Sequence, residues 1–207
     1  MEILLGSNSP RRNELLTQMD INFTKVSITC DEDFDEKMLS SKVPLYLSQK
    51  KSKAYTSLNE NQLLITADTV VINGDTLLNK PGDAIEAEEM LRSLSGKSHD
   101  VITGVTLRTH SKEVSFSSTT RVWLDELMPA DIDHYIVNYK PYDKAGSYGI
   151  QEWFGLSQVN RIEGCFYNVV GLPCSLLYKR LKNDLSSKKD TLGITLKIFI
   201  FDCSPIL

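Results

Sequence analysis

The 207-residue sequence predicts an α/β protein with a mixed, twisted sheet flanked by helices. Three observations predict it. Apolar runs rich in β-branched residues, above all LLITADTVVI (63–72), read as buried strands. Other segments repeat their apolar residues at helical spacing. The two kinds alternate irregularly, which suits a mixed sheet better than a strictly parallel one. At this length the chain makes one large domain, or two lobes sharing a cleft.

The elements follow in order. Ile3–Leu5 is a short buried strand. Ser9 is a helix N-cap with Pro10 at the first helical position, and Leu15, Leu16 and Met19 supply the buried face. A second helix runs from about Pro44 to Tyr55, with KKSKA on its polar side. Residues 63–72 form one strand, or two in succession, and Asn73-Gly74 signals a hairpin. Pro81-Gly82 then turns the chain into the clearest helix. Asp83 and Glu86 make a capping-box pattern, Ala87, Met90, Leu91 and Leu94 share a face, and Gly96 ends it.

VITGVTLRTH (101–110) and KEVSFSSTTRVWL (112–124) read as strands joined near His110-Ser111. PADIDHYIVNY (129–139) is a helix with Ile132, Tyr135 and Ile136 inward. PYDKAGSYGIQ (141–151) is a loop by composition. After GLP, CSLLYKRLKNDL (174–185) is the final helix. SSKKD (186–190) reads as solvated and flexible. The organisation expected is one domain over 1–184 and a tail of unassigned role over 185–207.

Composition narrows the function. The chain is 41% hydrophobic and 24% charged, a soluble globular profile with ample apolar material for a core. A formal net charge of -4 argues against wholesale nucleic-acid binding by a basic surface, so an anionic ligand needs a local cation cluster. Cys30, Cys165, Cys174 and Cys203 form no CxxC pair, and His99, His110 and His134 lack metal-ligand spacing. The histidines are assigned polar structural roles. ITLKIFIF near the end is too short to span a bilayer and carries a lysine. With scattered cysteines and no leader-like start, a cytoplasmic location and no membrane partner are expected. GxSxG and GxxxxGK[ST] motifs are both missing.

The residues with chemical potential begin at SNSPRR (7–12). A helix N-terminus carries unpaired N–H groups and partial positive charge, and Ser7, Arg11 and Arg12 beside it build an anion site. The same pattern suits a capped surface helix with solvated arginines. Asp68 interrupts an apolar strand, where a carboxylate must be paired, hydrogen-bonded or bound to a metal. It is a candidate proton acceptor or cation ligand; the plainer reading is a strand-terminal Asp bonded to a turn. Thr69 contacts a ligand or simply favours the strand.

Lys80, just before Pro-Gly, is a fixed point charge suited to phosphate. Lys51 and Lys53 in KKSK read first as a solvated face. DEDFDE (31–36) offers a metal-ligating carboxylate or an exposed charge run. In DKAGSYGIQ, which also holds Lys144 and Tyr148, the amide of Gln151 suits a base edge.

Taken together, SNSPRRNELL, LSQKKSKA, ITADTVV, LNKPGD with AEEMLRSLSGKSHDVITGV, DKAGSYGIQ and IEGCFYNVVGLP resemble the Maf family of nucleotide pyrophosphatases. The six pieces stand in the family's order from about residue 3 to about 182. The resemblance implies an α/β fold with two lobes around a deep cleft, often as a homodimer. It implies hydrolysis of a nucleoside triphosphate to the monophosphate and pyrophosphate, dependent on Mg²⁺ or Mn²⁺.

By matching position, Asp68 is the implied proton acceptor, and Ser7, Arg11, Arg12, Lys51 and Lys80 line the phosphate site. Glu32 matches the family's acidic residue after the second strand, a metal ligand together with Asp68. Arg11, Thr69 and Gln151 resemble the branch acting on dTTP and UTP, with Thr69 and Gln151 selecting the pyrimidine. The rival expectations are a nucleotide-binding regulator of cell division without hydrolysis, and a pyrophosphatase for inosine or xanthosine triphosphate. Ser48 and Ser52 stand where the family usually has alanine, and Cys165 replaces a common serine; these departures are expected to tune packing.

Overall fold

A computed structural model describes residues 1–185. The readings of SSKKD, ITLKIFIF, Cys203 and the tail lie outside the described residues.

Strand β1 (Glu2–Leu5) leads into helix α1 (Pro10–Gln18), as the Ser9-Pro10 signal predicts. Leu15 and Leu16 are buried, whereas Met19 only packs against the rim of the core. A two-residue strand β2 (Thr24–Lys25) follows, then helix α2 (Val43–Ala54) after an irregular segment. The apolar run is a single twelve-residue strand, β3 (Gln62–Asn73), turning at Gly74-Asp75 into β4 (Thr76–Leu78). Helix α3 (Ala84–Leu94) starts where its capping residues place it: Asp83 Oδ1 accepts from the Glu86 N–H at 2.9 Å.

Strands β5 (Ser98–Arg108) and β6 (Glu113–Leu124) form a long hairpin, and α4 (Pro129–Tyr139) buries Ile132, Tyr135 and Ile136. The predicted loop 141–151 contains one 3-10 turn, Ala145–Ser147. Three short elements beyond it have no sequence signal of their own: α5 (Trp153–Ser157), β7 (Val159–Glu163) and α6 (Phe166–Val170). Helix α7 (Cys174–Leu185) closes the described chain.

The strands make one mixed sheet in the order β2-β1-β3-β5-β6-β7, with β4 also on β3. β1 lies parallel to β2 and β3, and the remaining pairings are antiparallel. Side chains alternate across β3. Leu63, Ile65, Ala67 and Val71 enter the main core with α1, α3, α4 and α7; Val70 and Ile72 face α2 on the opposite side.

α2 lies very close to the sheet. A Cβ at Gly104 would stand 2.4 Å from the backbone of Pro44 and Leu45, so only glycine admits the helix there. On the same helix Ser48 and Ser52 are fully buried. Ser48 Oγ is 2.9 Å from Thr106 Oγ1, and Ser52 Oγ accepts from Arg108 Nε at 3.0 Å. These serines therefore add polar ties between α2 and β5, in keeping with a packing role. Cys165 precedes α6 and exchanges two backbone hydrogen bonds with the Thr120 hydroxyl.

The register of β3 creates the opening that matters. Residues 62–65 pair with β1 and residues 71–73 with β4. Along that edge, residues 66–70 face the segment leaving β1 instead of a strand. Backbone groups there need other partners: Arg12 Nη1 donates to the Ala67 carbonyl at 2.9 Å.

Candidate active site

A cavity of about 300 Å³ occupies this gap in the sheet. Ser7, Arg11, Arg12, Glu32, Lys51, Asp68, Thr69, Lys80 and Gln151 all line it, so every site residue expected from the sequence reaches one cavity. Their roles within it differ.

Asp68 lies mid-strand on β3 and is only 8% exposed. Its register partner is Gly104, on the face that α2 covers, so a side chain from α2 meets it. That side chain is Lys51, whose Nζ lies 2.6 Å from Asp68 Oδ1 and 2.9 Å from Glu32 Oε1. A charge inside an apolar strand is thus paired, as burial requires. Burial alone would raise the Glu32 pKa; the bond and charge of Lys51, aided by Lys80 and Arg12, hold it below its usual value. Of the KKSK lysines, Lys53 is exposed as a solvated face predicts, whereas Lys51 turns inward. Lys50 pairs with Asp31 and Lys51 with Glu32, so the start of the acidic run 31–36 is tied to α2.

Arg12 holds the gap together. Nε donates to the Gly171 carbonyl at 2.9 Å, Nη1 to Ser7 Oγ at 3.2 Å and to Ala67, and Nη2 to Thr69 Oγ1 at 3.0 Å. Guanidinium has five N–H donors, so one is left for a ligand. Burial lowers the Arg12 pKa, opposed by the charge of Asp68. Thr69 is similarly engaged, with its hydroxyl also 2.9 Å from Thr103 Oγ1. Both residues line the cavity while binding its walls to each other.

Arg11 faces the other wall. Nη1 donates to Asp143 Oδ2 at 2.5 Å and Nη2 to the Asp143 carbonyl at 3.2 Å. Asp143 also accepts from Lys144 Nζ at 2.8 Å. Partial burial would raise the Asp143 pKa, yet hydrogen bonds from Lys144 and Arg11 bring it below the ordinary value. Gln151 and Lys80 are exposed at the rim. The sequence reading missed Asp143 and Glu152; the Asp-Lys pair inside DKAGSYG was the available signal. His99 is a buried structural group, as expected, 2.7 Å from the Tyr148 hydroxyl, and burial lowers its pKa to about 4.

Among the described residues, no group of three or more His, Cys, Asp or Glu side chains is placed to hold a metal by itself. The described residues also include no helix long and apolar enough to cross a membrane.

A mixed α/β sheet thus opens at a gap lined by Arg11, Arg12, Lys51 and Lys80, with a paired carboxylate at its base. The chain belongs to the Maf family: a family model described as "Maf-like protein" matches residues 2–184. It is 49% identical over 186 residues to a "dTTP/UTP pyrophosphatase" of Porphyromonas gingivalis, covering 88% of this chain and 94% of that one. A protein of the same description from Parabacteroides distasonis is 46% identical over 184 residues, with 88% and 95% covered. Among solved structures, the Ham1 protein of Staphylococcus aureus overlays 60% of this chain and 72% of its own at 14% identity, with a TM-score of 0.43.

Proposed function

We propose that this chain hydrolyses dTTP and UTP to the nucleoside monophosphate and pyrophosphate. The observation that carries the reading is Asp68: a buried carboxylate held by Lys51 at the base of a cation-lined cavity. The names of its relatives agree with it.

In this reading Ser7, the N-terminus of α1, Arg11 and the free N–H of Arg12 hold the phosphate chain on one side, with Lys51 and Lys80 on the other. Asp68 accepts a proton from water as its oxygen attacks the α-phosphorus. The bond to the α–β bridging oxygen breaks, and pyrophosphate leaves with that oxygen and its electron pair. Gln151, exposed at the rim, offers an amide donor and acceptor to the pyrimidine edge, and Thr69 fixes the wall below it.

The carboxylates of Asp68 and Glu32 converge on one Lys51 Nζ, and together they make a hard oxygen donor pair. Mg²⁺ commonly binds through one or two carboxylates together with substrate phosphates, and this pair fits that habit. Asp68 and Glu32 would hold Mg²⁺ or Mn²⁺, which supplies neutralisation of phosphate charge when bound. A cytoplasmic location, suggested by the scattered cysteines, and the homodimeric state implied by the family resemblance belong to the same proposal. Cell fractionation and sedimentation check them.

The test is a nucleotide panel with purified protein and Mg²⁺ or Mn²⁺, following monophosphate and pyrophosphate by chromatography. Both products should appear fastest from dTTP and UTP. Binding without turnover would instead favour a nucleotide-sensing regulator. Turnover confined to inosine or xanthosine triphosphate would reassign the substrate.

A further inference from the structure

One polar chain in the molecule runs from the core to Arg11 through residues given no role above. It begins at Tyr135 on α4, whose side chain is fully buried, stacked on Tyr139 with ring centroids 5.0 Å apart. The Tyr135 hydroxyl accepts from the Gly149 N–H at 2.9 Å and donates to Glu152 Oε2 at 2.5 Å. Glu152 Oε1 lies 3.1 Å from Lys144 Nζ, a buried ammonium in the cavity wall that also binds Asp143. Asp143 in turn holds Arg11. An unbroken chain of charge-assisted bonds therefore joins a core tyrosine to the cavity rim.

The hydroxyl bonds residues 149 and 152, and the Glu152 N–H closes the same turn onto the Gly149 carbonyl at 3.1 Å. Gln151 lies inside that turn. Gly149 is part of the device, because a Cβ there would stand 2.8 Å from the Glu152 carboxyl carbon and 3.0 Å from Lys144 Cε. Burial, reinforced by Glu152, raises the Tyr135 pKa and so favours the hydroxyl form that donates to Glu152.

We propose that Tyr135 and Glu152 are positioning residues for substrate selection, fixing the turn that presents Gln151 and setting Lys144 and Asp143 against Arg11. The inference rests on the pyrimidine triphosphate reading of the cavity. A donor removed from a buried bond to a charged acceptor weakens the arrangement without touching Asp68. The effect therefore belongs in KM and base preference, and kcat should be spared.

The experiment measures kcat and KM of wild type and Tyr135→Phe for dTTP, UTP and dCTP, alongside thermal unfolding. dCTP shares the sugar of dTTP but carries an amino group where thymine and uracil carry a carbonyl, at the base edge that an amide reads. Tyr135→Phe should raise KM for dTTP and UTP about tenfold, leave kcat within about twofold, and shrink the preference over dCTP by a similar factor. Equal losses on all three nucleotides, or a fall in kcat with the preference intact, would show a merely structural tyrosine and overturn the proposal.

Glu152→Gln keeps an oxygen for the Tyr135 hydroxyl but removes the negative charge that faces Lys144. It carries the same readout if Tyr135→Phe does not fold. Should wild type turn over no pyrimidine triphosphate, the functional reading fails, and the KM and preference shifts on its best nucleotide still decide the positioning role.

Discussion

The two walls of the cavity are built differently. On one, Asp68 comes from the middle of β3 and Lys51 from α2, set by the unbroken pairing of β3 with β5 and by a helix packed within glycine distance of it. On the other, Arg11 comes from a helix start and Asp143, Lys144 and Gln151 from the loop that ends at Glu152, with Arg11, Asp143, Lys144 and Glu152 held to one another by side-chain bonds. A rigid wall suits a proton acceptor, whose geometry must not drift during the reaction. A loop wall suits selection, since its sequence can change without disturbing the sheet.

The largest effect should come from breaking the rigid wall. Asp68→Asn should lower kcat for dTTP by about 10²–10⁴-fold while the fold persists, as steady-state kinetics and circular dichroism together would show. His99 joins the walls, binding Tyr148 of the loop to β5. Its folded pKa of about 4 lies below the ordinary 6.5, so between these values the unfolded chain takes up a proton that the folded one refuses. Stability should thus be complete above about pH 6.5 and fall by about 3 kcal/mol as pH drops to 4. Urea unfolding across that range measures it, and His99→Gln should flatten the dependence.

Gly104→Ala sharpens the comparison from the other side. The added methyl meets the α2 backbone and should destabilise by about 1–3 kcal/mol in denaturant titrations. Because α2 carries Lys51, the variant should lose kcat while keeping the preference for dTTP over dCTP. The smallest effect belongs to Gln151→Ala, an exposed residue at the rim. It should raise KM for dTTP by up to about tenfold, the weight of one or two hydrogen bonds, and leave stability unchanged.

The same contrast governs what was legible in the sequence. Asp68 stood out because a charge inside LLITADTVVI violates the apolar pattern of a buried strand. α1 and α3 announced themselves through caps and periodicity, and both begin where those signals place them. β7, α5 and α6 did not, since five residues are too few for a period to show and VNRIE has exposed polar positions.

In the site, residue types were readable but their partners were not. The Arg11–Asp143 bond spans 132 positions of chain, and the near-saturation of Arg12 by Ser7, Ala67, Thr69 and Gly171 exists only after folding. Arginines next to a helix start indicate an anion site, and only the folded chain shows that one of them is chiefly occupied in framing it.

The central claim is that the rigid wall performs the chemistry and the loop wall chooses the substrate. Its most direct test is kcat and KM for dTTP in Asp68→Asn and Gln151→Ala, measured side by side with the same metal. In the first, kcat should collapse with KM little changed; in the second, KM should rise with kcat little changed. Loss of the same parameter in both variants, or near wild-type turnover by Asp68→Asn, would contradict it.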